Sequence, residues 1–206
     1  MNKIYKLYWD LERPTGKSRD AEPVPYEGIN ALSLSLLSEI NSELIPSKVF
    51  FYADFKMLEI NQFVNTELAV PIMRNDMLDL IVAADDIGHL TVPAIMIDQK
   101  FKHEAFDKDN NFNPNVPNLL NYSCFGMYRK FEAFDYENSE YTITQYDDVK
   151  IVRASKLVLK SHYGYFPRIF KLKEMPTMNF VRGDVKELLE KSGMGGFEFV
   201  EIEVSS

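Results

Sequence analysis

Asp184-Val185-Lys186-Glu187-Leu188-Leu189-Glu190-Lys191-Ser192-Gly193 sets the reading of this 206-residue chain. Val185, Leu188 and Leu189 recur at helical spacing, so one face of a helix is apolar. Gly193 stops that helix, because glycine takes a left-handed cap at least cost. The glycine-rich run Gly193-Met194-Gly195-Gly196 follows the helix. A phosphate cradle precedes one, so this run reads as a cap and turn. Phe197 to Val204 then reads as a strand. Its apolar phase shifts between Phe199 and Val200, which predicts a bulge or burial on both faces.

The same lettering occurs earlier. Met73-Arg74-Asn75-Asp76-Met77-Leu78-Asp79-Leu80-Ile81 parallels Val181-Arg182-Gly183-Asp184-Val185-Lys186-Glu187-Leu188-Leu189. Both run hydrophobic, Arg, Asn or Gly, Asp, hydrophobic, any, acid, Leu, aliphatic. Asn75 and Gly183 suit an N-cap. Asp76 and Asp184 fall in the first turn, where the helix dipole favours an anion. The pattern predicts two helix starts, each leading to a strand. Nine positions do not by themselves establish a duplication.

Outward from these helices, residues 3–9 read as a strand. Pro14, Gly16, Pro23, Pro25 and Gly28 make 12–28 a loop. Leu32, Leu36, Leu37, Ile40 and Leu44 mark a helix over 30–44, closed by Pro46. Val49 to Tyr52 is a short strand, 74–84 a helix and 91–97 a strand. Pro93 places that last strand near a sheet edge or a bulge. The Asn-, Asp- and Pro-rich stretch 107–118 reads as an exposed loop. Beyond 122 the pattern turns to β, over Phe125–Phe134, Tyr141–Gln145, Lys150–Lys160 and Phe166–Leu172. The expected architecture is α+β, a mixed, largely antiparallel sheet with about three helices on it, in a single domain spanning 1–206.

Composition fits a folded chain. Hydrophobic residues make up 46%, too many for a disordered segment. A chain of this length buries roughly 70% of its unfolded surface and needs no disulfide or metal. The one cysteine, Cys124, has no internal partner. The segment 1–10 lacks the apolar core of a signal peptide. The most apolar stretch, 80–97, is broken by Asp85, Asp86 and His89, which excludes a membrane helix. These features point to a reducing cytoplasm.

The net charge of −8 disfavours nucleic acid at long range. Charge is unevenly spread. Segment 132–148 carries Glu132, Asp135, Glu137, Glu140, Asp147 and Asp148 and no base. Segment 149–173 carries Lys150, Arg153, Lys156, Lys160, Arg168, Lys171 and Lys173 and no acid. Two readings stand. Opposite charges meet across neighbouring strands, or the six acids form a partner-binding face. The basic block also interleaves His162, Tyr163, Tyr165, Phe166 and Phe170, a single-stranded nucleic-acid pattern. Overall acidity counts against it.

No catalytic motif emerges. The pairs Asp85-Asp86 and Asp147-Asp148 read as turn and helix-end solvation. His89, His103 and His162 fit no zinc spacing, so no metal or cofactor is expected. Cys124, between Tyr122 and Phe125, reads as a small core hydrophobe, although a histidine brought beside it in space would make a nucleophile.

The stretch from Met178 to Val200 resembles the ending of immunity proteins from bacterial polymorphic toxin systems. Those proteins close with a short strand, a helix of the form x-L-L-x-x-x-G, then G-hydrophobic-E-F into a last strand. Val70-Pro71-Ile72-Met73-Arg74-Asn75-Asp76-Met77-Leu78 resembles a second feature, a strand leading through proline into a helix, and Ile4 to Trp9 fits the first strand. Segment 100–173 matches nothing. The resemblance implies a non-enzymatic cytosolic protein that binds a cognate toxin domain and occludes its active site. An acidic inhibitor gains on-rate and specificity against a basic toxin. An enzyme acting on a small molecule and a generic protein-interaction module remain the alternatives.

Overall fold

The computed structural model describes residues 3–10, 19–25, 45–68, 70–83, 88–127, 129–146, 149–161 and 165–205. The helix expected over 30–44 lies outside them. Along the chain run β1 (Ile4–Trp9), β2 (Ala21–Pro23), β3 (Val49–Ala53), α1 (Phe55–Ile60), β4 (Phe63–Val64), β5 (Ile72–Arg74), α2 (Asn75–Val82), β6 (His89–Asp98) and β7 (Asn118–Met127). There follow β8 (Lys130–Phe131), β9 (Glu140–Tyr146), β10 (Val149–Lys156), β11 (Val158–Lys160), β12 (Ile169–Leu172), β13 (Asn179–Arg182), α3 (Gly183–Ser192) and β14 (Phe197–Ser205). The fold is α+β and dominated by sheet. The expected single sheet is two, of six strands each, with β9 and β10 as a separate hairpin. The largely antiparallel expectation fits in part, since β3–β6, β11–β14 and β8–β12 pair in parallel.

Sheet 1 has the order β2-β3-β6-β7-β5-β4 and sheet 2 the order β11-β14-β1-β13-β12-β8. Each curls until its edges meet. In sheet 1 the amides of Asp20 and Ala21 donate to the Asn65 carbonyl, joining β2 to the end of β4. In sheet 2 the segment after β8 reaches β11, with Asp135 donating to Val158 and Lys160 to Ala133. Curling gives each sheet an apolar inside. Sheet 1 encloses Val49, Phe51, Val64, Ile72, Val92, Ala94, Met96, Tyr122 and Cys124. Sheet 2 encloses Ile4, Leu159, Phe170, Leu172, Phe180 and Ile202. Strand alternation dictates this, because every second side chain points inward.

The two sheets are versions of one unit. A constant offset of 108 residues maps β3 on β11, β5 on β13, α2 on α3 and β6 on β14. Arg74 maps on Arg182, Ala94 on Ile202 and Phe50 on Val158, each with the same strand pairing. The ladder β3-β6-β7-β5-β4 thus repeats as β11-β14-β1-β13-β12, with one parallel and three antiparallel pairings in the same places. The middle strand breaks chain order. Unit 1 takes β7, which follows β6, while unit 2 takes β1. The echo read from nine positions is therefore a repeat of strand pairing as well as of helix starts.

Local chemistry repeats too, with a correction. Asn75 and Gly183 are first helical residues, and the N-caps are Arg74 and Arg182, which make no side-chain cap bond. Each arginine instead forks onto the aspartate two residues on. Arg74 Nε and Nη2 donate to Asp76 at 2.7 and 2.8 Å, and Arg182 to Asp184 at 2.8 and 2.7 Å. Those aspartates occupy the first turn, as expected from the dipole. Gly193 caps α3 at φ 72°.

The helices join the units. Met77, Leu78 and Ile81 of α2 and Val185 and Leu189 of α3 share one cluster with outward faces of both sheets, including Met73, Phe125, Leu7 and Val181. Equivalent positions reach across. Arg168 of unit 2 donates to the Leu80 and Ala83 carbonyls at the end of α2. Gln62, its counterpart in unit 1, accepts from the Gly195 amide beyond α3 at 2.8 Å. A Cβ on Gly196, at φ 90°, would stand 2.8 Å from the Phe63 carbonyl oxygen, so close approach demands glycine there.

Several strand expectations shift. Ala21–Pro23 is a strand inside the expected loop. The run 125–134 divides into β7 and β8, and the run 150–160 breaks at Leu157. Pro93 lies beside a register shift between Ala94 and Met96, just before pairing with β3 begins. In β14 the register to β1 is unbroken, so the phase shift is two-sided burial. Phe197 and Phe199 face the shared cluster, Ile202 the inside of sheet 2. The 107–118 connection is exposed only in part. Phe106 and Phe112 pack on Phe50, and Val116 is buried.

Candidate functional site

Residues 132–139 of the acidic segment run along one rim of sheet 2, and Glu140 opens the β9–β10 hairpin. Ala133 and Phe134 are buried, which anchors the segment and turns its polar residues outward. Asp135 is an exception. Its carboxylate accepts from the amides of Glu137 and Asn138 and from Asn138 Nδ2 at 2.8 Å. Hydrogen bonds from the Asn138 side chain and Ser205 push its pKa down to about 2. Asp135 is 4% exposed and organises the turn. Such carboxylate-to-amide bonds are the local chemistry that favours Asp in turns.

Glu132, Glu137 and Glu140 are exposed. Lys173 lies 2.8 Å from Glu132 and holds its carboxyl below the usual range, by hydrogen bond and charge. Both side chains are well exposed, so the pair adds little stability. Glu140 begins β9 and accepts from the Ser155 hydroxyl of β10. Asp147 and Asp148 lie outside the described residues.

Aromatic side chains fill the same rim. Phe134, Tyr136 and Tyr141 contact one another with centroids 4.7 to 5.4 Å apart. The Tyr136 hydroxyl donates to Glu174 Oε1 at 3.0 Å, and burial together with that carboxylate pushes the phenol up to about 12. The rim therefore offers carboxylates around a tyrosine that is 43% exposed. Tyrosine with a fixed apolar body and a polar tip is a frequent interface anchor.

Four of the block's described bases do not share one face. Arg168 serves the end of α2, Lys156 pairs with Glu203 at 2.9 Å, and Lys173 pairs with Glu132. Lys171 is fully buried and its Nζ has no hydrogen-bond partner among the described residues; burial lowers its pKa to about 8, with Lys130 adding to the shift. The reading that opposite charges meet across strands holds at Glu132–Lys173, whereas Lys156, the Cα partner of Glu140, turns its ammonium to Glu203 instead. His162 lies outside the described residues. Cys124 points into sheet 1, where burial raises its thiol pKa to about 12 and keeps it protonated. His89 packs on Phe125 at 5.6 Å, on the opposite face of β7 from Cys124.

Sequence reasoning missed two features. Lys171 shares with Ile169 the strand face turned away from the inside of sheet 2, a face that alternation with the apolar Ile169 could have flagged as buried. The other is a groove of about 390 Å³ at the end of sheet 2, lined by side chains far apart in sequence.

A sheet-rich α+β chain of two like units thus presents a tyrosine-and-carboxylate rim on its second unit. Residues 117–204 of that chain match the immunity protein family (Imm11). The resemblance to an immunity protein family is borne out over Met178–Val200, inside the match, while Ile4–Trp9 and Val70–Leu78 lie outside it. The match also takes in most of segment 100–173, which the sequence reading could place nowhere. All six acids of 132–148 fall within it. No curated protein matches this chain.

Proposed function

We propose that this protein is a cytoplasmic immunity protein, which binds a cognate toxin domain and neutralises it without chemistry of its own. The match of residues 117–204 to an immunity protein family carries the reading. The acidic rim supports it, because Glu132, Glu137 and Glu140 project from one edge of unit 2 around Tyr136. Segment 132–148 as a whole then forms the partner face, with Asp135 shaping it from within. Charge of one sign at a rim speeds encounter with a partner of the other sign. A protein partner is favoured over nucleic acid because, among the described bases, Lys156 and Lys173 are paired, Arg168 serves the end of α2 and Lys171 is buried.

The test is association with the proposed cognate toxin domain, measured by surface plasmon resonance over a range of salt. Tight one-to-one binding is expected. Replacing Glu132, Glu137 and Glu140 together by Gln should slow association by about tenfold at low salt and flatten its salt dependence. Association that is unchanged in the triple variant would remove the acidic face from the account.

A further inference from the structure

Unit 2 is open where unit 1 is closed. Val200 of β14 is 45% exposed, while Val92, its counterpart in β6, is 1% exposed inside sheet 1. Lys6 of β1 stands where β7 has the buried Cys124. Around these two positions Ala154, Leu157, Met178 and Ile202 complete the groove of about 390 Å³. Three rim charges, Lys156, Glu203 and Glu201, are neutralised, in the pairs Lys156–Glu203 and Lys3–Glu201, both at 2.9 Å. The Lys6 ammonium lies 5.5 Å from the Tyr8 ring and has no carboxylate partner among the described residues. The groove is thus apolar with one unmatched positive charge.

We infer that this groove seats a segment of the toxin partner that brings an aliphatic or aromatic side chain beside a carboxylate. The inference rests on the function proposed above. Charge complementarity selects the carboxylate for Lys6, and Val200 and Met178 provide the apolar walls. The groove also continues the acidic rim. Its wall residue Ser155 donates from Oγ to the Glu140 carbonyl at 3.2 Å, so rim and groove form one surface. Interfaces commonly combine a charged periphery that governs association with a desolvated apolar pocket that governs dissociation. Unit 2 holds both parts side by side.

Anilinonaphthalene sulfonate, an apolar body with one anionic end, is the probe for the free protein. One dye should bind per native chain and brighten. Val200→Asp and Lys6→Glu should abolish that signal, and Val200→Ile should keep it. Adding the toxin domain should displace the dye, and Val200→Asp should speed dissociation of the complex by about tenfold. A wild-type chain that leaves the dye dark overturns the groove. Dye retained in the complex, displacement by a second copy of this chain, or an unchanged dissociation rate in Val200→Asp overturns the occupant. A toxin domain that fails to bind the wild type overturns the proposed function, and the dye still decides the chemistry of the groove.

Discussion

Unit 1 and unit 2 share strand order, register and helix placement, yet they differ in what fills the curl of the sheet. Unit 1 buries Tyr122, Cys124, Val92 and Met96 and covers them with Leu58, Leu68 and Val70. Unit 2 keeps Phe170, Phe180 and Leu172 inside but leaves Val200 open to solvent and places Lys6 at the opening. One scaffold therefore has a sealed copy and an open copy. The acidic rim belongs to the open copy, and so does most of the family match. Under the proposed function, this difference would divide stability and recognition between two versions of the same fold.

The largest effect should come from placing a charge at the two equivalent valines. Val92→Asp buries an unpaired carboxylate and should cost more than about 4 kcal/mol, enough to unfold a marginal domain. Val200→Asp meets solvent and should stay within about 0.5 kcal/mol of wild type. Urea unfolding followed by circular dichroism reads both. Equal losses would erase the distinction between a sealed and an open unit. A single transition in the wild type is also expected, because we propose that residues 1–206 form one domain through the shared α2–α3 cluster.

The next effect sharpens unit 2. Lys171 is buried without a partner, and its folded pKa of about 8 lies below the ordinary lysine value of 10.5. Between those values the unfolded chain binds a proton that the folded chain does not, so stability rises as pH increases from about 8 to 10.5. Below that window a penalty of roughly 3 kcal/mol persists. Lys171→Met should recover most of it at pH 7 and abolish the rise. A melting temperature that does not increase in Lys171→Met would show that the ammonium is solvated or paired.

Much of the fold was legible where periodicity is strong and local. The α3–β14 pair follows from Leu188, Leu189 and Gly193, and α2 from Met77 and Ile81. The apolar phase shift between Phe199 and Val200 showed that β14 uses both faces, although on the second face it is Ile202 that is buried and Val200 that is exposed. What stayed hidden is pairing at a distance. Nothing local in β1 shows that it supplies unit 2 with the strand that β7 supplies to unit 1. The family resemblance was readable over Met178–Val200, because its helix and glycine turn are contiguous. Of the acidic segment, Glu132, Glu137 and Glu140 face solvent as a charge run suggests. Asp135 does not, because the turn uses both of its carboxylate oxygens. The groove was invisible, since Lys6, Leu157 and Val200 meet only when sheet 2 curls.

Hydrogen exchange of the chain in complex with its proposed toxin partner tests the central proposal, that unit 2 carries recognition. The account predicts slowed exchange over 132–140, 153–157 and 199–203, with β3 and β6 of unit 1 unchanged. Protection confined to unit 1, or none in either unit despite tight binding, would contradict it.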